Sequence, residues 1–323
     1  MISFMIRRIL IAIPLLLGIS LLTFILIQIT PGNYFDTLKL NPQVSGDTIA
    51  RYENLYHLNE PTFKQYFYWL KNALNFDFGY SFFYNCPVVN VIGGRLWNTF
   101  VLSLSSLLLT WLVAIPLGVW AAVNRGKWAD KIISFLSFAG LSVPSFFLAI
   151  LLLYVASRTH GLPLGGMQSV YYDDMNGIER FIDLLKHLLI PTIVISLGSI
   201  ASLQRIMRGN MLDTLRQQYV LMARAKGLPE YRVTYVHALR NAINPLITIF
   251  GYHLSDILSG AALIEIICNW PGLGSVMLTA VRAKDLYLVM TSMLMGGILL
   301  LLGNLLADIL LAWSDPRIRY EKK

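Results

Sequence analysis

Six long, nearly uncharged apolar stretches constrain this chain more than any other feature of its sequence. An α-helix needs about 20 residues to cross the hydrocarbon core of a bilayer, with a range of roughly 17–25. Five of the six stretches are long enough to cross the bilayer. The fourth stretch in chain order is at the lower limit of length, and it crosses most easily if its helix continues into the polar segment that follows. The pattern predicts an all-α integral membrane protein with six transmembrane helices, at residues 9–29, 96–123, 132–157, 188–204, 242–264 and 286–307.

Composition and charge distribution narrow the class of protein further. Only 14% of the 323 residues are charged, whereas soluble domains carry about 25%. The net charge is +8, but Lys and Arg cluster in alternate loops and do not form one basic stripe with interleaved aromatic rings. That distribution is typical of membrane topology signals and argues against nucleic-acid binding.

The same charges predict an orientation with both termini in the cytoplasm, because cytoplasmic loops are enriched in Lys and Arg. The short segment 124–131 holds three of these residues and segment 205–241 holds seven. The much longer segment 31–95 holds five, which five acidic residues balance. We therefore expect the first two segments to be cytoplasmic and the third to be extracytoplasmic.

These assignments divide the chain into four parts. They are a cytoplasmic N-terminus with the first transmembrane helix (1–30), an extracytoplasmic segment (31–95), a five-helix core (96–312) and a cytoplasmic tail (313–323). The external segment is rich in aromatic residues, whose rings lie at the level of the lipid headgroups or form a stacking site for a ligand. Cys86 and Cys268 both fall in predicted external segments, where they form a disulfide or remain free thiols.

The basic segment 205–241 is the main candidate for a binding surface. Gly227-Leu228-Pro229 predicts the end of one helix, and Glu230 predicts the start of a second. Ala223, Ala225 and Gly227 are small enough to allow close approach of a partner. A short helix–turn–helix of this kind suits insertion into a groove on a cytosolic protein. The alternative is that its basic residues only neutralise lipid headgroups and fix the topology.

Two features concern a path through the membrane. Asp256 lies near the middle of the fifth stretch, where an unpaired carboxylate costs at least about 2.5–3.5 kcal/mol, and His253 lies on the same helical face. Asp256 therefore lines a substrate path and favours cationic cargo, or it forms a polar latch between helices or is a protonated acid. Pro116 and Pro144 each favour a kink within a stretch.

The external link 265–285 predicts a sharp turn that dips back into the membrane. It contains a proline and two glycines among apolar residues, and its candidate residues are Trp270, Pro271, Gly272 and Gly274. Such a re-entrant segment would close a cavity on one side of the membrane.

The sequence contains none of the common catalytic or nucleotide-binding motifs. The phosphate-binding pattern G-x-x-x-x-G-K-[ST] is absent, as are H-E-x-x-H, C-x-x-C and G-x-S-x-G. The five histidines are scattered along the chain, which argues against a metal site. We therefore expect a protein that is not an enzyme and has no catalytic or metal-binding residues.

Short motifs follow one another in a characteristic order along nearly the whole chain. They are Arg7-Arg8-Ile9, Ile13-Pro14, Gly18-Ile19-Ser20, Leu22-Thr23-Phe24, Pro31-Gly32, Asp77-Phe78-Gly79-Tyr80-Ser81, Pro87-Val88, Val143-Pro144-Ser145-Phe146-Phe147, Trp270-Pro271-Gly272-Leu273-Gly274, Asn304-Leu305-Leu306-Ala307-Asp308 and Asp315-Pro316-Arg317-Ile318-Arg319. In number and order these motifs resemble the permease subunits of binding-protein-dependent ABC importers, in the dipeptide, oligopeptide and nickel branch.

The resemblance implies a type I ABC importer permease in the bacterial plasma (inner) membrane. Partners would be a second, similar permease, two ABC ATPase subunits that bind ATP and Mg²⁺, and an extracytoplasmic solute-binding protein. This chain would bind no cofactor itself. It would form half of the translocation pathway for peptides or related small solutes, nickel chelates among them. A self-sufficient channel or secondary carrier is the alternative.

The family's cytoplasmic loop that docks on the ATPase aligns with this chain through Gly227. Its usual initial acidic residue is missing here, as in the peptide branch. The resemblance implies that the ATPase-coupling residues are Tyr219, Leu221, Met222, Ala223, Arg224, Ala225, Lys226, Gly227, Leu228 and Pro229.

Overall fold

The computed structural model describes residues 2–32, 34–39, 46–55, 59–159 and 161–314. The chain divides into two compact units. The first contains residues 100–270 and the stretch from 300 onwards, and the second contains residues 2–99 and 271–299.

The described residues are mostly helical. In chain order the elements are α1 (Ile2–Ile29), α2 (Tyr34–Lys39), α3 (Gly46–Leu55), α4 (Thr62–Ala73), β1 (Tyr80–Ser81), β2 (Cys86–Pro87), α5 (Val88–Val123), α6 (Trp128–Ser142), α7 (Ser145–Thr159), a 3₁₀ turn (Tyr172–Asp174), α8 (Gly177–Leu215), α9 (Gln218–Ala225), α10 (Glu230–Arg232), a π-helix (Val233–Ala238), α11 (Leu239–Ala242), α12 (Asn244–Ile267), α13 (Leu273–Ala283) and α14 (Leu286–Ser314).

Long apolar helices confirm the predicted all-α membrane fold. Within the described residues, four segments are long and apolar enough to cross a bilayer, namely Ile6–Asp36, Val88–Val123, Gly177–Leu215 and Leu286–Leu306. The pair α6 and α7 makes a fifth if both belong to one span. α12 lies at the fifth predicted stretch. The count of six and the direction of the termini stay predictions.

The third predicted stretch, 132–157, is not one continuous helix. α6 ends at Ser142 and α7 begins at Ser145, with an angle of 100° between them. Pro144 has no N–H to donate, and a proline disfavours the helical conformation in the residue before it. Val143 is accordingly extended, with φ −89° and ψ 120°. By contrast, α5 continues through Pro116 without a break.

α8 extends beyond its apolar stretch at both ends. Its N-terminus is fixed by a capping box, in which Asn176 Oδ1 accepts hydrogen bonds from the amides of Ile178 and Glu179, and Glu179 accepts one from the amide of Asn176. Its C-terminus reaches Leu215, as expected for a helix that continues into the basic segment.

The first unit is built around α8, which packs against α6, α7 and α12. α5 approaches α8 closely at Gly118, where an added Cβ would lie 2.6 Å from Met207 Cβ. Polar side chains join the buried helices: Ser196 Oγ donates to Ser106 O at 3.0 Å, and Ser137 Oγ donates to Gln204 Oε1 at 2.8 Å.

In the second unit, α1 packs against α4, and a two-stranded antiparallel hairpin pairs β1 with β2. Ser20 Oγ and Tyr66 Oη lie 2.9 Å apart between the two helices. Asp285, just before α14, is fully buried and accepts hydrogen bonds from Ser81 Oγ at 2.7 Å and from the Phe83 amide at 3.0 Å. Burial raises the pKa of Asp285 above its ordinary value.

The aromatic residues of segment 31–95 serve two roles. Phe35, Tyr66, Trp69 and Phe82 are buried and form the cores of the second unit. Others remain exposed, such as Phe76 at 81%. The rings therefore hold the segment together, a role that the sequence analysis did not consider.

Candidate functional site

The predicted cytoplasmic segment 205–241 begins on α8, where an ion pair joins it to segment 124–131. Arg208 Nε and Nη2 donate to the two carboxylate oxygens of Asp130 at 2.6 and 2.8 Å. Asp130 is buried and also accepts a hydrogen bond from the Gly126 amide at 2.9 Å. Two parallel charge-assisted hydrogen bonds fix geometry as well as charge. We call this pair the Arg208–Asp130 clamp, because it ties segment 124–131 to α8.

α9 follows α8 after a short turn and has one buried face. Val220 and Ala223, three positions apart, are buried and join the core of the first unit with residues of α5, α8 and the π-helix. Tyr219, Leu221 and Met222 are exposed at 41%, 50% and 60%.

The small residues of α9 and its turn do not all face outward. Ala223 packs against the chain's own core, contrary to the expectation that it allows a partner to approach closely, because it lies on the buried face with Val220. Ala225 and Gly227 are exposed, as that expectation requires.

A Schellman motif ends α9 at the predicted position. The Gly227 amide donates to Arg224 O at 2.9 Å, and the Leu228 amide donates to Ala223 O at 3.3 Å. Gly227 adopts a φ of +76°, which favours glycine. Leu228 packs against the core that contains Ala223, and Pro229 then precedes α10.

The second helical arm consists of α10, the π-helix and α11. Across the turn, Arg224 Nε and Nη2 donate to the Glu230 carboxylate at 2.9 and 3.3 Å. This pair is largely exposed, so its contribution to stability is at most about 1 kcal/mol. Val233 and Ala238 of the π-helix are buried and anchor the arm to the core.

An exposed apolar surface remains on the two arms. Interface cores are enriched in aromatic residues, Met and Arg. We define the docking surface as Tyr219, Leu221, Met222, Tyr231, Tyr235 and Val236, which are 41–60% exposed. Exposed basic residues accompany it, namely Arg216, Arg224, Lys226, Arg232 and Arg240.

The two residues predicted to line the path lie on α12. The backbone there is helical at both His253 and Asp256, as the sequence predicted. Their side chains lie outside the described part of the structure, so their suggested pairing stays a prediction.

The external candidate residues fall in different units. Trp270 is fully buried in the first unit, where it packs with Leu102 and Leu188. Pro271, Gly272 and Gly274 belong to the second unit, in which Gly272 is the N-cap of α13.

Side chains of α5 fix the start of α13 within the second unit. Asn98 Nδ2 donates to Pro271 O at 2.8 Å, and Thr99 Oγ1 accepts from the Leu273 amide at 2.8 Å. These bonds satisfy backbone groups at a sharp turn, as the composition of the link predicted.

The two cysteines are free thiols. Cys268 is buried, and burial raises the pKa of its thiol to about 11. Cys268 O accepts a hydrogen bond from the Gly166 amide at 3.0 Å, and the adjacent Gly165, at φ +149°, leaves no room there for a Cβ.

Sequence reasoning missed a buried polar cluster at the start of α8. Asp183 accepts hydrogen bonds from the amide and the hydroxyl of Ser169, and His187 Nδ1 lies 2.8 Å from Asp183 O. The i, i+4 spacing of Asp183 and His187 was the available signal. Across the described ranges, no group of three or more His, Cys, Asp or Glu residues could hold a metal ion.

Comparison with known proteins gives matches along the chain. Residues 114–320 match the family described as binding-protein-dependent transport system inner membrane component, and residues 1–104 match the N-terminal family of the same membrane components. The chain is 38% identical over 322 residues to the oligopeptide transport system permease protein AppB of Bacillus subtilis (strain 168), which covers 99% of this chain and 100% of that protein. It is 33% identical over 339 residues to the dipeptide transport system permease protein DppB of Escherichia coli (strain K12), with 100% of both chains covered.

Proposed function

Because the chain belongs to the family of inner membrane components of binding-protein-dependent transport systems, we propose that it is the permease subunit of an ATP-driven importer for short peptides. It is a multi-pass protein of the bacterial inner membrane. As a permease it is not itself an enzyme, and ATP is hydrolysed on separate subunits.

The proposed cargo rests on the relatives. One is named for oligopeptides and the other for dipeptides, and both align along their whole length. Nickel chelates and related small solutes are the other cargo of this branch. Competition for uptake between a labelled dipeptide and each of these classes would separate them.

We propose an architecture of six spans with both termini in the cytoplasm. In that arrangement α6 and α7 together form the third span and α12 forms the fifth. Segment 31–95 faces the solute-binding protein, and segment 265–285 re-enters the membrane. This chain and a second, similar permease would each form half of the path, which Asp256 and His253 would line, above two ATPase subunits.

The docking surface is the observation that supports coupling to an ATPase. A stable protein seldom leaves six large apolar or aromatic side chains exposed on two short helical arms outside its membrane spans unless a partner covers them. The buried face of α9 and the Schellman turn hold the arms in a defined shape. A preformed surface of this kind loses little conformational entropy when it binds.

The clamp and α9 also provide a mechanical route from the ATPase to the membrane. Movement of α9 would be transmitted to α8 through the shared core. The Arg208–Asp130 clamp would carry the same movement to α6, on which Asp130 lies. Closure of the ATPases around ATP would thereby shift a two-state arrangement of the spans between inward-facing and outward-facing forms.

A matched pair of substitutions tests the docking surface. Leu221→Glu places a charge on α9, where Leu221 is 50% exposed, and Leu74→Glu places the same charge on a leucine of the predicted external segment that is 77% exposed. We expect Leu221→Glu to insert normally but to lose the ATPase subunits on purification and to reduce peptide uptake by at least about tenfold, as at an interface hot spot. Leu74→Glu should retain both. Retention of the ATPase subunits by Leu221→Glu would remove the coupling proposal.

A further inference from the structure

The beginning of α6 carries exposed cations that the proposed transport mechanism does not use. Segment 124–131 contains three Lys or Arg residues, and all three are exposed. Between residues 124 and 159, and again between residues 188 and 212, the sequence contains a single acidic residue, Asp130. The Arg208–Asp130 clamp neutralises that carboxylate. These parts of α6, α7 and α8 therefore bring no other carboxylate to the exposed cations.

Two exposed cations in the first unit lie against aromatic rings of α6. Lys131 Nζ is 5.4 Å from the centroid of the Trp128 ring. Arg205 Cζ, which comes from α8, is 5.5 Å from the centroid of the Phe138 ring. Within the described residues, neither of these two basic side chains takes part in a hydrogen bond or an ion pair. A guanidinium at the edge of the hydrocarbon core is costly unless it meets an anion or water.

The residues around these two contacts share one face of α6. Four residues spaced three or four positions apart lie on the same side of the helix, namely Trp128, Lys131, Phe135 and Phe138. Phe135 lies between the two cations and is 70% exposed. Along the helix axis, Phe135 is about 6 Å from Lys131 and about 4.5 Å from Phe138. Because Lys and Arg have long flexible stems, both cations can reach an anion placed over Phe135.

This face lies where apolar sequence meets polar sequence on two helices. The third apolar stretch begins next to Lys131, and the fourth ends next to Arg205. The hydrogen bonds that join α6 to α8 show that the two helices run antiparallel. Both boundaries therefore lie at the same end of the helix pair, at the level of the lipid headgroups. Trp rings are enriched at this level, and basic pockets between membrane helices bind anionic headgroups there.

We propose that this face of α6 binds an anionic phospholipid, of phosphatidylglycerol chemistry. Its phosphate would lie over Phe135 and accept hydrogen bonds from Arg205 and Lys131. An acyl chain would lie along Phe138 and Leu141, which are 57% and 43% exposed. A phosphatidylcholine headgroup carries a cation of its own, which would meet two cations and no carboxylate. Free phosphate has the required charge but cannot cover the apolar residues.

Photolabelling of the purified importer complex in phosphatidylcholine nanodiscs tests this proposal. A small fraction of either phosphatidylglycerol or phosphatidylcholine carries a diazirine at the same acyl position, and the labelled residues are mapped by mass spectrometry. The variants are Arg205→Gln and Lys131→Gln. Arg158→Gln is the matched arginine control, because Arg158 is also exposed and its Cζ lies 5.3 Å from the centroid of the Tyr154 ring. Lys71→Gln, at an exposed lysine of α4, is the lysine control.

We expect the phosphatidylglycerol probe to label α6 at least about fivefold more than the phosphatidylcholine probe does. Each variant removes one cation, so this labelling should fall about fivefold in Arg205→Gln and in Lys131→Gln. The two controls should be labelled like the unaltered complex, and an excess of inorganic phosphate should not reduce the labelling.

Equal labelling of α6 by the two probes, or unchanged labelling in either variant, would overturn the proposal. Competition by inorganic phosphate would overturn it too, because the site would then bind the free anion. So would the absence of α6 labelling by both probes, because a protein partner would then cover this face. None of these results depends on which cargo is transported.

Discussion

The Arg208–Asp130 clamp should be asymmetric: removal of its arginine should destabilise the protein more than removal of its aspartate. The Arg208 side chain is 29% exposed, whereas that of Asp130 is 7% exposed. In Asp130→Ala the guanidinium can turn toward water. In Arg208→Ala the carboxylate stays buried and keeps the Gly126 amide as its main hydrogen-bond donor.

The expected magnitudes follow from this difference in exposure. A hydrogen bond to a charged group contributes about 1.5–3 kcal/mol, and breaking a fully buried ion pair costs roughly 3–5 kcal/mol. We expect Arg208→Ala to lower the free energy of unfolding by about 3 kcal/mol and Asp130→Ala to lower it by about 2 kcal/mol. Because the residues interact directly, the double variant should lose about 1–2 kcal/mol less than the two single losses combined.

Reversible unfolding in mixed detergent micelles, titrated with SDS and followed by circular dichroism, measures these free energies. Arg216→Ala is the control, because this exposed arginine lies at the C-terminal end of the same helix. Its effect should stay within about 0.5 kcal/mol, as for an ordinary surface substitution. A larger loss for Asp130→Ala than for Arg208→Ala, or additive losses in the double variant, would show that the burial of Asp130 does not determine the cost of breaking the clamp.

Three further predictions concern other parts of the chain. Gly227→Ala forces a residue with a side chain into the left-handed region of backbone conformation, at a cost of about 1–2 kcal/mol. We expect this variant to insert normally but to take up peptide more slowly than the control Gly198→Ala, whose added Cβ would contact no other atom. Equal uptake by the two variants would contradict this prediction. N-Ethylmaleimide at neutral pH should label Cys86 and spare Cys268, because burial raises the pKa of the Cys268 thiol to about 11. Mass spectrometric mapping that finds both cysteines labelled equally would contradict this prediction. Burial raises the pKa of Asp285 in the folded protein above its ordinary value of 3.8. The contribution of Asp285 to stability is therefore complete below pH 3.8 and is lost as the pH rises through the pKa of the folded state. Asp285→Asn should make the melting temperature depend less on pH between these two pKa values, and an unchanged dependence would contradict this prediction.

The fold could be predicted where the physical signal is local. Apolar stretches located long helices that could cross a bilayer, because hydrocarbon tolerates few charges over the length of a helix. Gly227 located the end of α9, since a positive φ at a helix end favours glycine.

The ends and bends of the helices could not be predicted from hydropathy. Hydropathy indicates only which residues can lie in the hydrocarbon core of the bilayer. A helix, by contrast, ends where its terminal N–H or C=O groups find other hydrogen-bond partners. α8 therefore begins at Gly177, next to the Asn176 capping box, well before its apolar stretch. Pro144 indicated a kink, but the angle of 100° also depends on what each half packs against.

The geometry of the candidate site depended on contacts between residues distant in sequence. Arg208 and Asp130 are 78 residues apart, and no local pattern relates them. The burial of Ala223 follows from the packing of α9 on α5, α8 and the π-helix. The sequence predicted a basic, helical segment in the cytoplasm, but it did not determine which face of that segment is available to a partner.

As proposed above, this chain conducts peptides only as part of an ATP-driven importer. The most direct test is uptake of a radiolabelled dipeptide by proteoliposomes that contain this chain, its partner permease and both ATPase subunits, with the solute-binding protein outside and ATP or its non-hydrolysable analogue inside. We predict that the dipeptide accumulates only with hydrolysable ATP and that Leu221→Glu abolishes this accumulation. Equal accumulation with the analogue, or by liposomes that contain this chain alone, would contradict the account and indicate a channel or carrier.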